Sequence, residues 1–315
     1  MLDHEDLKKL NVLSPWKSLG DISLIWVTIG CSLYLCHESL WFLPLALPVL
    51  ASRLHALTLL MHDGSHYLLH PNEKVNDFLS NMFCSFPLMI STEVYRKTHW
   101  KHHQFTQTMK DPNYVIMQSV AAWHYPKKEE EVKKLLVRDL FFLGMKDHMA
   151  ILKDWQILPN LALAGRLEKI LFPIFFLGMF SAVYWGGLWK EFIILQFGAL
   201  LINPLARMRA MSEHAHYESE GTDRVHKLEE TPTINAGSFE RFFLAPFNTN
   251  RHLEHHLYPT IPYYNLERAH EIIRKSETYQ RHARYELDGY FLGKRTSFRE
   301  ILVGDGYPVA KKKAA

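Results

Sequence analysis

Histidine is abundant in this chain, at 19 of 315 residues, and nine candidate ligands stand in four short segments. His62 and His66 stand in "HDGSH", His99, His102 and His103 in "HWKHH", His252, His255 and His256 in "HLEHH", and His214 in "RMRAMSEHAH". Residues three and four apart share a helix face, so HDGSH can present both rings to one ion, and the two H-x-x-H-H strings repeat that spacing. An isolated HxxxH is commonplace, and a His-rich stretch alone reads as solvated surface or adventitious metal binding. The set is a different matter, because each segment falls just outside an apolar run. Zinc takes about four ligands and iron about six at most. Nine imidazoles therefore exceed one ion and divide naturally between two metals, with four or five each.

Ligand type alone does not choose the metal, since imidazole suits zinc, copper, nickel and iron. Zinc proteases place a glutamate base second in H-E-x-x-H; here that position is Asp63, one methylene shorter, and the remaining seven histidines would be idle. Soluble di-iron bundles use paired Glu-x-x-His strings; Glu267 to His270 has that form but stands apart from the histidine segments. The surroundings say more. Metals beside apolar helices meet a lipid-like substrate whose abundant bonds are unactivated C–H bonds, and breaking those takes a redox-active metal and oxygen, which zinc cannot supply. Four carboxylates adjoin these segments, Asp63, Asp111, Glu213 and Glu254. Each is a candidate to hold an imidazole by its far nitrogen, and each is equally a solvent-facing charge, because helical neighbours point about 100° apart. His216 competes with His214 for a place at the site, and His70 continues the row from His66 just before Pro71. His4, His37, His55, His124, His148, His226, His270 and His282 read as surface or satisfied core.

Apolar stretches must position these segments. Ile22 to Cys36 is uncharged, and after His37-Glu38 the apolar character resumes from Leu40 to Ala51 and again, past Arg53 and His55, to Met61. This predicts a helical hairpin over about 20-61, each arm short beside the roughly 20 residues that span a bilayer. Ile170 to Trp189 is 20 residues without charge, and Phe192 to Ala206 follows Lys190-Glu191, a second hairpin over 170-206. Two such hairpins predict an all-α integral membrane protein with four transmembrane helices and a helical cap that holds a di-metal site. The cap is then built from 62-169 and 207-303, with 304-315 as a tail, and 1-315 forms a single domain. Lys8, Lys9, Lys17, Arg166, Lys169, Arg207 and Arg209 flank the side that carries the cap, while the far turns hold little charge. By the positive-inside rule that side is cytoplasmic. Lys127 to Met149 and Leu266 to Lys275 read as surface helices.

Composition narrows the classes further. A mean hydropathy of -0.14 fits four spans beneath a large polar cap. The net charge of +3, from 36 basic and 33 acidic residues, is too small for a nucleic-acid footprint. Three cysteines with no CxxC exclude a disulfide framework and a thiol redox pair. MLDHEDLKKL has no apolar core of a secretory signal.

The four histidine segments together resemble the membrane fatty acid desaturase and hydroxylase superfamily. HDGSH is similar to its first histidine box and HWKHHQFTQTMKDPN to its second, with the Thr and Asp-Pro that commonly follow. NTNRHLEHHLYPTIPYYNL is similar to the third with its proline-rich trailer, and RMRAMSEHAH resembles the arginine-rich segment of bacterial members. The resemblance covers about residues 40 to 275. It implies a mushroom-shaped protein with a cytosolic cap around a non-haem di-iron centre, its ligands His62, His66, His99, His102, His103, His214, His252, His255 and His256. It also implies oxygen-dependent C–H abstraction from a fatty acyl chain to form a C=C bond, with O2 as co-substrate. The same boxes serve hydroxylases and terminal-alkene-forming decarboxylases acting on lipids or alkanes. His252 opens the third box where front-end desaturases carry glutamine, and no HPGG segment is fused.

Electrons must come from outside, because the chain has neither a GxGxxG nor a cluster-binding cysteine array. A ferredoxin or cytochrome b5 type donor is implied. Arg96, Lys97, Lys101, Lys127, Lys128, Lys133 and Lys134 form a candidate landing patch, against which stands the plainer reading of a solvated face. A non-enzymatic alternative is a His-rich membrane metal carrier. Carriers place ligands within the span to line a pathway, whereas these histidines gather at and beyond the helix ends.

Overall fold

A computed structural model describes residues 1–154 and 163–305, so the expected tail lies outside the described residues beyond Asp305. Helix α1 (Pro15–Glu38) starts at a proline, whose fixed φ suits the first helical position, and stops at Ser39, whose Oγ caps the next short turn. There follow α2 (Leu43–Ser65), α3 (Thr92–Phe105), α4 (Glu129–Leu140), α5 (Arg166–Gly186), α6 (Trp189–Leu200), α7 (Ile202–Ser212), α8 (Arg224–Glu230), α9 (His252–Leu257) and α10 (Leu266–Ile273). The fold is all-α; among the described residues the strands are one two-residue parallel pair, Thr233–Ile234 with Glu286–Leu287.

Four helical segments are long and apolar enough to cross a bilayer: Pro15–Glu38, Leu40–Ser65, Arg166–Gly186 and Trp189–Ser212. They exceed the apolar runs in the sequence because their polar ends find partners inside the protein. Ser52 Oγ donates to Phe242 O at 2.6 Å, and Glu168 accepts from the Ser91 hydroxyl and, at 3.0 Å, from Glu93 N. Arg207 pairs with Asp139 and donates to Ala122 O at 2.7 Å. The turns of the two hairpins meet at one end of the stem, where His37 Nδ1 lies 2.7 Å from Glu191 Oε1 and Lys190 Nζ donates to His37 O at 2.8 Å. The opposite end therefore carries the close of α2, the start of α5 and the close of α7, and the cap is built there.

The stem's inward stripe on α1 is Ile22, Ile25, Ile29, Ser32 and Cys36, spaced three and four apart, and it packs on α2. Helix α6 approaches α2 so closely that a Cβ at Gly198 would stand 2.8 Å from Leu50 Cβ. Outward faces stay apolar: α5 leaves Leu177 71 % exposed and buries only Glu168, Phe172 and Val183. Such a surface is penalised in water at roughly 25 cal/mol per Å2 and is at rest in hydrocarbon, which makes this a membrane protein.

In the cap, the single surface helix predicted over Lys127 to Met149 is broken. It ends at Leu140, turns through Phe142 at φ 63°, and resumes as Met145–Asp154. The break lets Asp139 turn inward to Arg207 and His148. A second apolar cluster, with Leu10, Leu228, Leu253, Leu257, Leu266 and Ile273, seats α9 between α8 and α10.

Candidate metal centre

Each histidine segment owes its geometry to local sequence. Gly64 in HDGSH is a packing requirement, since a Cβ there would fall 2.3 Å from Ser80 Oγ. α2 then ends at Ser65, and Asn76 pins the turn by donating to Gly64 O at 2.8 Å and accepting from Leu69 N at 3.1 Å. Arg96 reaches from α3 to donate to Ser65 O at 2.8 Å and Gly64 O at 3.0 Å, so it braces this turn from inside. That corrects its assignment to a surface landing patch. Lys227, on α8, donates to the carbonyls of both His103 and His256, at 3.1 and 3.2 Å, joining the second and third segments.

The nine histidines converge in two groups, His62, His66, His99, His103 and His255 in one and His102, His214, His252 and His256 in the other. Within each group the candidate ligand nitrogens all lie within 4.8 Å of one another. Both H-x-x-H-H strings are split: His99 and His103 go to one group and His102 to the other, while His252 and His256 part from His255. Helical geometry explains it, because i and i+4 sit about 40° apart in projection and the residue between them points elsewhere. The two groups are thereby knitted from the same short helices. His216 is in neither; its Nε2 meets Met211 O at 2.8 Å. His70 is in neither, its Nδ1 accepting from Asn72 N at 2.9 Å.

Several observations test whether the donor set fits metal ions. None of the nine histidines is more than 7 % exposed. Neighbouring Nε2 atoms approach to 3.0 Å for His99 and His103, and to 3.1 Å for His103 and His255, His102 and His214, and His214 and His252. With metal–nitrogen bonds of about 2.1 Å, ligands at right angles stand about 3.0 Å apart and tetrahedral ones about 3.4 Å apart. Five nitrogens in one group exceed the four of a closed tetrahedral zinc site. His62 Nε2, His256 Nε2 and both nitrogens of His66 are buried without a hydrogen-bond partner among the described residues. Burial drives the proton affinity of His99, His103, His214, His252, His255 and His256 well below the usual imidazole range. His66 is pushed down to about 3 by burial, with the Arg96 charge adding to it. Neutral imidazole is the ligating form.

Far-nitrogen partners are present. Asp111 Oδ2 lies 2.9 Å from His102 Nδ1 and also accepts from Gln107 N at 2.9 Å. Asp63 Oδ1 lies 3.3 Å from His62 Nδ1, and its other oxygen accepts from Tyr263 N at 3.1 Å. Glu213 Oε1 is 3.5 Å from His252 Nδ1. Glu254 departs from expectation: its Oε1 meets His270 Nδ1 at 2.7 Å and its Oε2 accepts from Thr233 Oγ1 at 3.0 Å, so it braces α10 rather than a grouped imidazole. The sequence reading missed Thr106, 3.3 Å from His256 Nδ1, and Thr231, 3.2 Å from His214 Nδ1. It also missed Tyr95, stacked on His99 with centroids 5.0 Å apart. Tyr95 stands one turn before His99, so helical spacing could have found it, whereas Thr106 reaches His256 in a distant segment.

Beside the groups opens a cavity of about 350 Å3. Its walls include His62 and His99 from one group, His102 and His252 from the other, and apolar side chains such as Leu59, Leu88, Ile90 and Met117.

Residues 38–287 match the family model described as Fatty acid desaturase. The chain is 24% identical over 277 residues to the dihydrorhizobitoxine desaturase of Bradyrhizobium elkanii, covering 84% of this chain and 78% of that protein. It is 21% identical over 285 residues to the chloroplastic omega-6 fatty acid desaturase of Arabidopsis thaliana, covering 85% and 62%. It is 21% identical over 271 residues to the sn-1 oleoyl-lipid 12-desaturase of Anabaena variabilis, covering 79% and 74%.

Proposed function

Because this chain belongs to the fatty acid desaturase family, we propose that it desaturates a saturated alkyl segment of a fatty acyl or related substrate, using O2 and a histidine-held pair of irons. The carrying observation is the cavity, whose wall is shared by imidazoles of both groups and by apolar side chains. Those side chains exclude water and align the alkyl segment, so that binding along the chain selects which carbons reach the histidines. The nine histidines would hold the irons, neutral by burial, and Asp111, Asp63, Thr106 and Thr231 would fix their ring orientation through the far nitrogens. A bound iron pair supplies the oxidising power, drawn from O2, that removes hydrogen from two adjacent methylenes.

The overall reaction balances as –CH2–CH2– plus O2, two electrons and two protons giving –CH=CH– and two waters. The electrons come from a ferredoxin or cytochrome b5 type protein, since the sequence carries no dinucleotide or cluster motif of its own. The histidine end of the stem faces the cytoplasm, by the basic flanks at Lys8, Lys9, Lys17, Arg166 and Lys169. Arg207 adds nothing to that asymmetry, being wholly buried against Asp139.

The test is product analysis by mass spectrometry in a host with a simple lipid pool, comparing the intact protein with His102→Ala. A new unsaturated species that disappears in the variant supports desaturation. A hydroxylated or shortened product in its place overturns it.

A further inference from the structure

Helix α7 carries two arginines two positions apart, and their surroundings differ. Arg207 is fully satisfied: its guanidinium pairs with Asp139, donates to Ala122 O at 2.7 Å and lies 4.4 Å from the Trp123 ring centroid. Arg209 belongs instead to the stripe of α6 and α7 that borders the cavity, together with Ala199, Asn203, Ala206, Ala210 and Glu213. Its side chain is 11 % exposed, and its Nε has no hydrogen-bond partner among the described residues. Among the described residues its ion-pair partner is Glu213, whose Oε1 stands 2.5 Å from Nη2 without hydrogen-bond alignment. The same Glu213 oxygen lies 3.5 Å from His252 Nδ1, so the guanidinium and a histidine of the four-membered group flank a single atom. The charge of Arg209 also helps to lower the proton affinity of His214, His252 and His255, after the larger effect of burial.

A buried guanidinium whose Nε lacks a hydrogen-bond partner is poorly matched to a wall that takes hydrocarbon alone, since unmatched buried donors are costly. Its planar fork matches a carboxylate, which takes parallel N–H bonds. An ester or thioester offers neither the charge nor the second equivalent oxygen. We propose that Arg209 binds the carboxylate of the substrate beside the metal centre, so that this protein accepts alkyl substrates as free acids and oxidises them near the acid end. The proposal deepens the desaturase reading and rests on it for the oxidation, though not for the binding.

The experiment uses the iron-loaded protein in nanodiscs, with decanoate and methyl decanoate as probes, and calorimetry as the binding readout. Decanoate is expected to bind about tenfold to a hundredfold more tightly than its ester, the worth of a hydrogen-bonded charge pair. Arg209→Gln should remove that preference and Arg209→Lys should keep part of it. With reductant supplied, the oxidised carbons should be those nearest the carboxylate. Equal binding of acid and ester by the intact protein overturns the proposal, as does a mid-chain product or an acid preference that survives in Arg209→Gln. Should Arg209→Gln lose iron, the acid-against-ester comparison on the intact protein decides alone. Failure of the desaturase reading looks different: no probe is oxidised, while the acid preference still reports on Arg209.

Discussion

Asp111→Asn removes one carboxylate oxygen, the acceptor shared by His102 and Gln107, at one of the two histidine groups. Asp111 is buried, with Oδ2 shared between His102 Nδ1 and Gln107 N, both at 2.9 Å, and Oδ1 accepting from Asn113 N at 2.9 Å. Asparagine keeps the shape and caps a helix as well as aspartate does, so the start of the following helix at Pro112 should survive. What is lost is the charge that holds the His102 ring and strengthens its other nitrogen as a ligand. Replacing such a partner costs about tenfold to a hundredfold in metal affinity or activity, which is roughly 1.4 to 2.7 kcal/mol. Because His102 belongs to the group of four and not to the group of five, the loss should be one-sided. Titrating ferrous iron into metal-free protein with a competing chelator should show two tight sites in the intact protein, and one tight and one weakened site in the variant. Unchanged affinity at both sites, or equal weakening of both, refutes the reasoning.

His214→Ala should lower the metal content by up to one ion per chain, whereas His216→Ala, whose ring meets the Met211 carbonyl, should keep both; elemental analysis reads the difference. Gly64→Ala should destabilise by about 1 to 3 kcal/mol through overpacking against Ser80, and Ser80→Gly in the same chain should restore much of the thermal midpoint. Lys227→Met removes one ammonium and its two hydrogen bonds to the carbonyls of His103 and His256, at about 1.5 to 3 kcal/mol each, and iron should dissociate faster into chelator. The metal-free protein should lose stability as pH falls below 6.5. The unfolded chain then takes up protons that His66, held down to about 3, and six other buried imidazoles refuse until lower pH. A thermal midpoint flat from pH 7.5 to 5 contradicts this.

The stem and the nine histidines were legible because both are local patterns: uninterrupted apolar runs, and imidazoles three and four residues apart. The ends of the spans were not, because Ser52, Glu168 and Arg207 take partners from distant segments that hydropathy does not register. The break after Leu140 escaped notice for the same reason, since nothing near Asp139 in sequence announces Arg207 as its partner. Of the carboxylates, Asp111, Asp63 and Glu213 reach grouped imidazoles and Glu254 does not. Their facing depends on helix rotation set by tertiary packing. Arg96 looked like surface charge beside Lys97, yet only Lys97 is exposed, and the difference lies in the turn at Ser65 that Arg96 braces.

The central claim is a pair of irons held by histidine alone. Iron-57 incorporation with Mössbauer and X-ray absorption spectroscopy on the purified protein tests it most directly. The account predicts two irons per chain, nitrogen-dominated coordination with imidazole outer-shell scattering, and spectra that change on reduction and on exposure to oxygen. One iron per chain, or exchangeable zinc with no redox response, contradicts it.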